Sequence, residues 1–172
     1  MYNIIPSLLW TALFLIPAFL YCYANVPSKI TYILLGASLV TIFLPNSFFD
    51  RMQVSKTPLV YRKMGVKYVN ALAQNGSLLV GILKKKYPDY KIVSKTNASI
   101  KKQYFQTYFF EKFHFSLFLF FTLLTVYAGL HGHFYWMLAL IIINLFYNIY
   151  PNLLQQYIRL RLKSVMREGK IS

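Results

Sequence analysis

Four long apolar runs are the feature that most limits what this chain can fold into. A helix needs about 20 predominantly apolar residues to cross a hydrocarbon core of roughly 30 Å. Charged residues make up 13% of the chain, about half the usual share in soluble domains. Because backbone polar groups in lipid must pair within their own segment, the pattern predicts an all-α integral membrane protein, folded as one membrane domain over residues 1–172. The four predicted transmembrane helices cover residues 4–23, 30–49, 114–129 and 134–150.

The basic residues are unevenly distributed along the chain, which has a formal net charge of +15. Thirteen Lys and Arg lie in residues 51–113 and five follow Pro151, whereas Lys29 is alone between the first two runs. Because cytoplasmic loops carry an excess of Lys and Arg, we expect a basic cytoplasmic segment at 51–113 and a basic cytoplasmic tail at 151–172. This arrangement predicts a multi-pass protein of the cell inner membrane with both termini in the cytoplasm.

Within the basic segment, apolar clusters alternate with lysines. This alternation predicts amphipathic helices that lie on the membrane surface and contact anionic lipid headgroups. The alternative is a solvated loop whose charge only sets the topology.

Several classes of function lack support in the sequence. A basic chain can bind nucleic acid, but here the charge belongs to a membrane-anchored segment and no nucleic-acid reading motif is present. Cys22 is the single cysteine, so no disulfide framework is possible. His131 and His133 lie in a short connector, and two histidines alone do not make a metal site. We therefore expect no metal, no resident cofactor and no nucleic-acid partner.

Scarce polar residues form a stripe along the third run. At about 100° per residue, Glu111, His114, Thr122 and Thr125 share one face of the predicted helix, and the rest of that helix is nearly all Leu and Phe. An imidazole can take a proton from an attacking hydroxyl near neutral pH, and a carboxylate can orient that imidazole. Glu111 and His114 are therefore the candidate catalytic residues.

A second stripe follows the fourth run if its helix continues through Pro151. The connector "HGH" at 131–133 makes the last two runs an antiparallel hairpin, so we expect the two stripes to meet at the cytoplasmic membrane boundary. The alternative is that these polar side chains only snorkel, cap helix ends or join helices. The second stripe consists of Asn144, Asn148, Gln155 and Arg159.

Three segments resemble one family of small membrane proteins. "NIYPNLLQQYIRLRL" at 148–162, "YRKMGVKYVNAL" at 61–72 and "FEKFHF" at 110–115 are similar to motifs of the glycosyl-diaponeurosporenoate acyltransferase family, which adds a fatty acyl chain to a sugar hydroxyl of a carotenoid. The resemblance runs roughly from 46 to 162. It implies acyl transfer from a thioester donor, such as acyl-CoA or acyl-carrier protein, to a lipid-soluble acceptor resembling a carotenoid glycoside.

Side chains near the end of the fourth run would then bind the donor. The arginines can hold phosphates and the amides can donate hydrogen bonds to an oxyanion, while the tyrosine belongs to the family motif. The expected substrate-binding residues are Asn148, Gln155, Tyr157, Arg159 and Arg161.

A different class of function stays open at the level of sequence. The chain could be a non-catalytic subunit or assembly factor of a larger membrane complex, or form a homo-oligomer, in which case the polar stripes would pair with partner helices. A transporter fits less well, because four spans without inverted repeats would have to oligomerise.

Overall fold

The computed structural model describes residues 4–66, 68–69 and 97–168. These residues form helices and connecting loops, with no strand among them. Residues 67 and 70–96 of the basic segment, and with them most of the stretch in which surface helices are expected, lie outside the described residues. The helices are α1 (Ile4–Asn25), α2 (Ser28–Leu39), α3 (Asn46–Arg51), α4 (Pro58–Lys63), α5 (Asn97–Leu130), α6 (Phe134–Asn144) and α7 (Tyr150–Glu168).

Three helices among the described residues are long and apolar enough to cross a membrane. They are Leu8–Asn25 within α1, the whole of α5, and the continuous helix Phe134–Arg167 that joins α6 to α7. Large apolar side chains on α1 face outward, with Phe19 67% exposed and Leu13 60% exposed. Such a surface is stable in lipid and would aggregate in water, so the protein is an integral membrane protein.

The second apolar run is not confirmed as a fourth span of the same kind. Its helical part, Ser28–Phe43, consists of α2 and one 3-10 turn. This part is shorter than the three helices that are long enough to cross a membrane. The run is interrupted at Leu44, which is extended with ψ 139°. Leu44 precedes Pro45, and the ring of a proline disfavours the helical conformation of the residue before it. The chain then re-enters a helix as α3.

The third and fourth runs form the predicted antiparallel hairpin, with longer helices than the hydropathy pattern indicated. Helix α5 begins at Asn97 rather than near His114, so the Glu-x-x-His pair lies well inside a helix. The turn between the helices uses Gly132 at φ 72°, a conformation that costs glycine little.

Pro151 neither ends nor breaks the fourth run. A proline has no N–H and removes the donor that an α-helix would give to the carbonyl of Tyr147. The helix accommodates this with a π-helical turn at Leu145–Ile149, in which the Tyr150 N–H donates to the Leu145 carbonyl. One extra residue is thereby inserted into the helical repeat.

Two apolar clusters hold these helices together. The larger one packs α1 against α5 and α6 through residues such as Tyr21, Phe121 and Leu140. The smaller one packs Tyr61 and Val66 against α7. The second cluster fixes the loop around α4 to the hairpin at the end where the charged side chains lie.

Candidate active site at the seam of α5 and α7

A buried ion pair joins α5 to α7. Glu111 and Arg159 are each 2% exposed, and Nη1 of Arg159 donates to Oε2 of Glu111. The other carboxylate oxygen accepts from Nε2 of Gln156 at 2.8 Å. A buried charge is stable only when it is paired and hydrogen-bonded, and this carboxylate satisfies both conditions.

Gln156 extends this network to Tyr61 in α4. The Tyr61 hydroxyl donates to Oε1 of Gln156 at 2.9 Å and accepts from the Ser55 N–H at 3.0 Å. Oε1 of Gln156 also accepts from the Val54 N–H at 3.2 Å. Burial raises the pKa of the Tyr61 phenol above its usual value, which keeps the hydroxyl protonated as a donor. Helix α4 is therefore attached to the ion pair through a single glutamine.

Arg159 is enclosed on its other side by aromatic and acidic groups. Its guanidinium lies 4.3 Å from the centre of the Tyr108 ring, a geometry for cation–π attraction. Nε is 3.6 Å from Oδ1 of Asp50, and the Tyr108 hydroxyl donates to the same oxygen at 2.8 Å. Because its charge is balanced by Glu111 and Asp50, Arg159 is poorly placed to neutralise a donor phosphate as well.

His114 has different neighbours from Glu111, although the two share one helix face. Its ring lies 5.8 Å from the Tyr147 ring in a perpendicular contact, and the Tyr147 hydroxyl is 3.1 Å from Oγ1 of Thr11 in α1. Among the described residues His114 makes no hydrogen bond with Glu111, and its buried Nδ1 has no partner. The carboxylate therefore does not orient the imidazole directly.

A second polar ladder crosses the hairpin beside His114. Asn148, which is fully buried, donates from Nδ2 to Oδ1 of Asn144 at 2.8 Å. Asn144 in turn donates to Oγ1 of Thr122 at 3.1 Å. Oδ1 of Asn148 has no partner among the described residues, and the Asn148 side chain and the Tyr147 carbonyl lie beside the imidazole. Asn148 thus joins the helices and borders His114.

The remaining expected binding residues lie further from the ion pair. Tyr157 is half-buried, with its ring centre 6.5 Å from that of Tyr61. Arg161 is exposed, and its guanidinium is 5.8 Å from the centre of the Tyr157 ring. Gln155 is half-buried and takes no part in the network around Glu111.

The residue that occupies the expected place of Gln155 is Gln156. A phase of 100° per residue placed Gln155 on the polar stripe, but the π-helical turn delays the rotation of everything that follows it by about one residue. Pro151 was the sequence signal for such an insertion, because a proline within a helix removes a backbone donor. Tyr61, Asp50 and Tyr108 were also missed, and their participation depends on how α3 and α4 dock.

Matched glutamine variants test this change of register. Gln156→Leu is expected to lower the free energy of unfolding by about 1–3 kcal/mol, because Oε1 of Glu111 and the N–H of Val54 lose the partner that Gln156 gives them. Gln155→Leu is expected to change it by less than about 0.5 kcal/mol. Thermal unfolding in detergent measures both, and equal losses would contradict the register described here.

A pocket of about 240 Å³ opens next to the ion pair. Glu111, Gln156 and Asn152 form its polar end, and the rest of its wall is apolar. Oδ1 of Asn152 is buried without a partner among the described residues. The site therefore offers an apolar pocket within the hairpin, ending at hydrogen-bonding groups. The remaining lining residues are Phe49, Met52, Val54, Phe115, Phe118, Ile149 and Leu153.

A protein-family model for glycosyl-4,4′-diaponeurosporenoate acyltransferase matches residues 45–168. The chain belongs to this family. The family resemblance read from the three motifs is thereby confirmed. Membership is consistent with an acyltransferase activity. No curated protein and no solved structure gave a significant match to the chain.

The matched region contains every member of the buried network. Tyr61, Glu111, Gln156 and Arg159 come from the three segments that resemble motifs of glycosyl-4,4′-diaponeurosporenoate acyltransferase, and all lie within residues 45–168. Helix α1, which contributes Thr11, lies outside it. The family motifs are therefore joined in space at one end of the α5–α7 seam.

Proposed function

We propose that the protein transfers a fatty acyl group from a thioester donor to a hydroxyl of a lipid-soluble acceptor resembling a carotenoid glycoside. The observation that carries this proposal is the meeting of the three motif segments on one buried network that borders an apolar pocket. Two helices long enough to span a membrane form part of the pocket wall, which suits a substrate that enters from the lipid.

His114 would act as the base. Its imidazole takes the proton from the acceptor hydroxyl while the oxygen attacks the thioester carbonyl. The new C–O bond forms, the C–S bond breaks, and the imidazolium returns the proton to the departing thiolate. Asn148, beside His114, would help to position the reacting groups.

The buried ion pair would hold this arrangement in place rather than take part in proton transfer. Glu111 ties α5 to Gln156 and Arg159, so its position sets how α7 lies against His114. Arg161 is exposed beside Tyr157 and carries no acidic partner among the described residues, so it is the better candidate to bind donor phosphates. Gln155, half-buried on the same helix, would line this donor site.

The reaction would take place at the cytoplasmic face of the inner membrane. Exposed basic residues surround the end of the hairpin that holds the network, and a surplus of such residues marks the cytoplasmic side. A water-soluble thioester donor is available only on that side. Among the described residues of segments 51–113 and 151–172, the exposed basic residues are Arg51, Lys56, Arg62, Lys63, Lys101, Lys102, Arg161, Lys163 and Arg167.

The purified protein tests this proposal directly. In liposomes that contain a carotenoid glycoside, addition of palmitoyl-CoA or palmitoyl-acyl-carrier protein is expected to yield the acylated glycoside, detected by mass spectrometry. The same liposomes without protein are the control. If neither donor gives product, and the protein co-purifies at native expression with a stoichiometric membrane partner, the chain is a subunit rather than an acyltransferase.

A further inference from the structure

Two pockets lie end to end along the hairpin. The first, of about 240 Å³, is the one beside Glu111 and Gln156. The second, of about 220 Å³, lies between α5 and the facing helix and is lined by Thr122, Thr125, Ile141, Asn144, Leu145 and Ile149. Ile149 lines both pockets, so it stands between them. Together they reach the size range of roughly 300–1,000 Å³ that is usual for ligand pockets.

The α5 wall of this groove is a single stripe of the helix. Glu111, Phe115, Phe118, Thr122 and Thr125 line the two pockets in turn, at alternating spacings of four and three residues that keep to one face. From Glu111 to Thr125 the helix rises about 21 Å at 1.5 Å per residue. That length exceeds one leaflet of a hydrocarbon core of roughly 30 Å, and is too short for a chain that crosses both leaflets.

The far end of the groove is apolar although two threonines line it. The Thr122 hydroxyl donates to the Phe118 carbonyl at 2.7 Å, and the Thr125 hydroxyl donates to the Phe121 carbonyl at 2.7 Å. With their hydroxyls bonded to their own helix, both side chains are left with methyl groups to offer a ligand. Asn144 also lines this second pocket, but its Nδ2 donates to the Phe118 carbonyl and to Oγ1 of Thr122, and its Oδ1 accepts from Asn148. Its hydrogen bonds are therefore made within the protein, whereas Asn152 at the Glu111 end has an unpartnered Oδ1 among the described residues.

The opposite wall of the groove is formed where the helix departs from α-helical geometry. Leu145 and Ile149 are the first and last residues of the π-helical turn, and both line the groove. A π-helical turn widens a helix locally and is frequent at functional sites. Here it sets Ile149 at the junction of the two pockets.

We propose that this groove binds the alkyl chain of the acyl donor in an extended form, with the thioester at the Glu111 end and the terminal methyl near Thr125. The inference rests on the proposed function. It adds where the acyl chain lies and which residue limits the length of that acyl chain. One long acyl chain matches the groove in length, in its single polar end and in its apolar wall. Ile149 would then set the chain length that the enzyme accepts.

Enlarging Ile149 tests the groove. Ile149→Trp is expected to block the passage to the second pocket, so transfer from palmitoyl-CoA falls at least tenfold relative to transfer from octanoyl-CoA, because several buried methylenes lose their contacts. Thr125→Phe, which fills the far end of the groove, is expected to lower the ratio of palmitoyl to octanoyl transfer as well. It provides the test if Ile149→Trp does not fold.

Matched controls on the same helices complete the test. Ile142→Trp and Val126→Phe alter residues that are 47% and 55% exposed and line neither pocket, so both should keep the wild-type ratio of palmitoyl to octanoyl transfer. An unchanged ratio in Ile149→Trp and Thr125→Phe, or an equal fall with both donors, would overturn the groove while leaving acyl transfer intact.

Photolabelling tests binding of the acyl chain in the groove independently of acyl transfer. Palmitoyl-CoA with a diazirine at the end of its chain is expected to label peptides that contain Thr125 or Leu145 in the wild type, and to lose that label in Ile149→Trp. Labelling without any acyl transfer would contradict the proposed function and support the groove. Equal labelling by a phospholipid with the same diazirine chain would overturn the groove as a donor site.

Discussion

Replacing Arg159 by leucine is expected to lower the free energy of unfolding by about 3–5 kcal/mol, because it leaves the buried Glu111 carboxylate without its charged partner. Both side chains are 2% exposed, so water cannot take the place of the guanidinium. Asp50 and Tyr108, which meet Arg159 from the other side, lose contacts as well. Denaturation in mixed micelles of the purified protein measures the change.

The matched control is Arg161→Leu, which removes an exposed arginine two positions further along α7. We expect it to change stability by less than about 0.5 kcal/mol. The double variant Glu111→Leu/Arg159→Leu should recover most of the loss, because replacing a buried ion pair by apolar side chains is often close to neutral. It should stay about 1–2 kcal/mol below the wild type, because Nε2 of Gln156 then has no acceptor. Similar losses in Arg159→Leu and Arg161→Leu would contradict the buried pair.

The features of this fold that follow from hydropathy and charge spacing could be predicted. Apolar length identified helix α1 and the hairpin, and the period of the scarce polar residues identified the faces on which α5 and α7 meet. Glu111 and Arg159, which both lie on the predicted stripes, are paired in the structure. These are properties of one helix at a time, and a sequence displays them directly.

Features that depend on a local break in the helix or on distant docking could not be read in the same way. Pro45 shortens the second run through its effect on Leu44, although the hydropathy of that run continues on both sides. The π-helical turn before Pro151 changes the helical register, so that Gln156 rather than Gln155 contacts the ion pair. Tyr61 reaches Gln156 only because the loop around α4 folds back onto α7, and no helical period encodes that contact.

The Glu-x-x-His pair shows how one spacing can serve two roles. Three residues along an α-helix bring two side chains to one face, but their partners on neighbouring helices decide what each does. Glu111 meets the arginine and glutamine of α7, while His114 meets Tyr147 and Asn148 near α1. A variant of Glu111 should therefore disturb stability and activity together, whereas a variant of His114 should act on the reaction alone.

His114→Gln is expected to reduce the rate of acyl transfer by about 10²–10⁴-fold, the usual contribution of a positioned general base. Glutamine is similar in size but cannot take up the hydroxyl proton. Because glutamine can still hydrogen-bond with the Asn148 side chain or the Tyr147 carbonyl beside it, the substitution should change the free energy of unfolding by about 1 kcal/mol at most. The effect should fall on kcat rather than on KM, because His114 acts on the reacting proton and contributes little to binding.

The matched control is His131→Gln, because His131 is exposed in the connector at the opposite end of the hairpin. That variant should keep the wild-type rate, which separates the loss of a base from the loss of any imidazole. Glu111→Gln should also lose product, but with a fall in stability, because Arg159 then has a neutral partner in a buried site. A His114→Gln protein that keeps more than about a tenth of the wild-type kcat would exclude His114 as the base. The proton would then have to go to another group near Asn148 or to the donor itself.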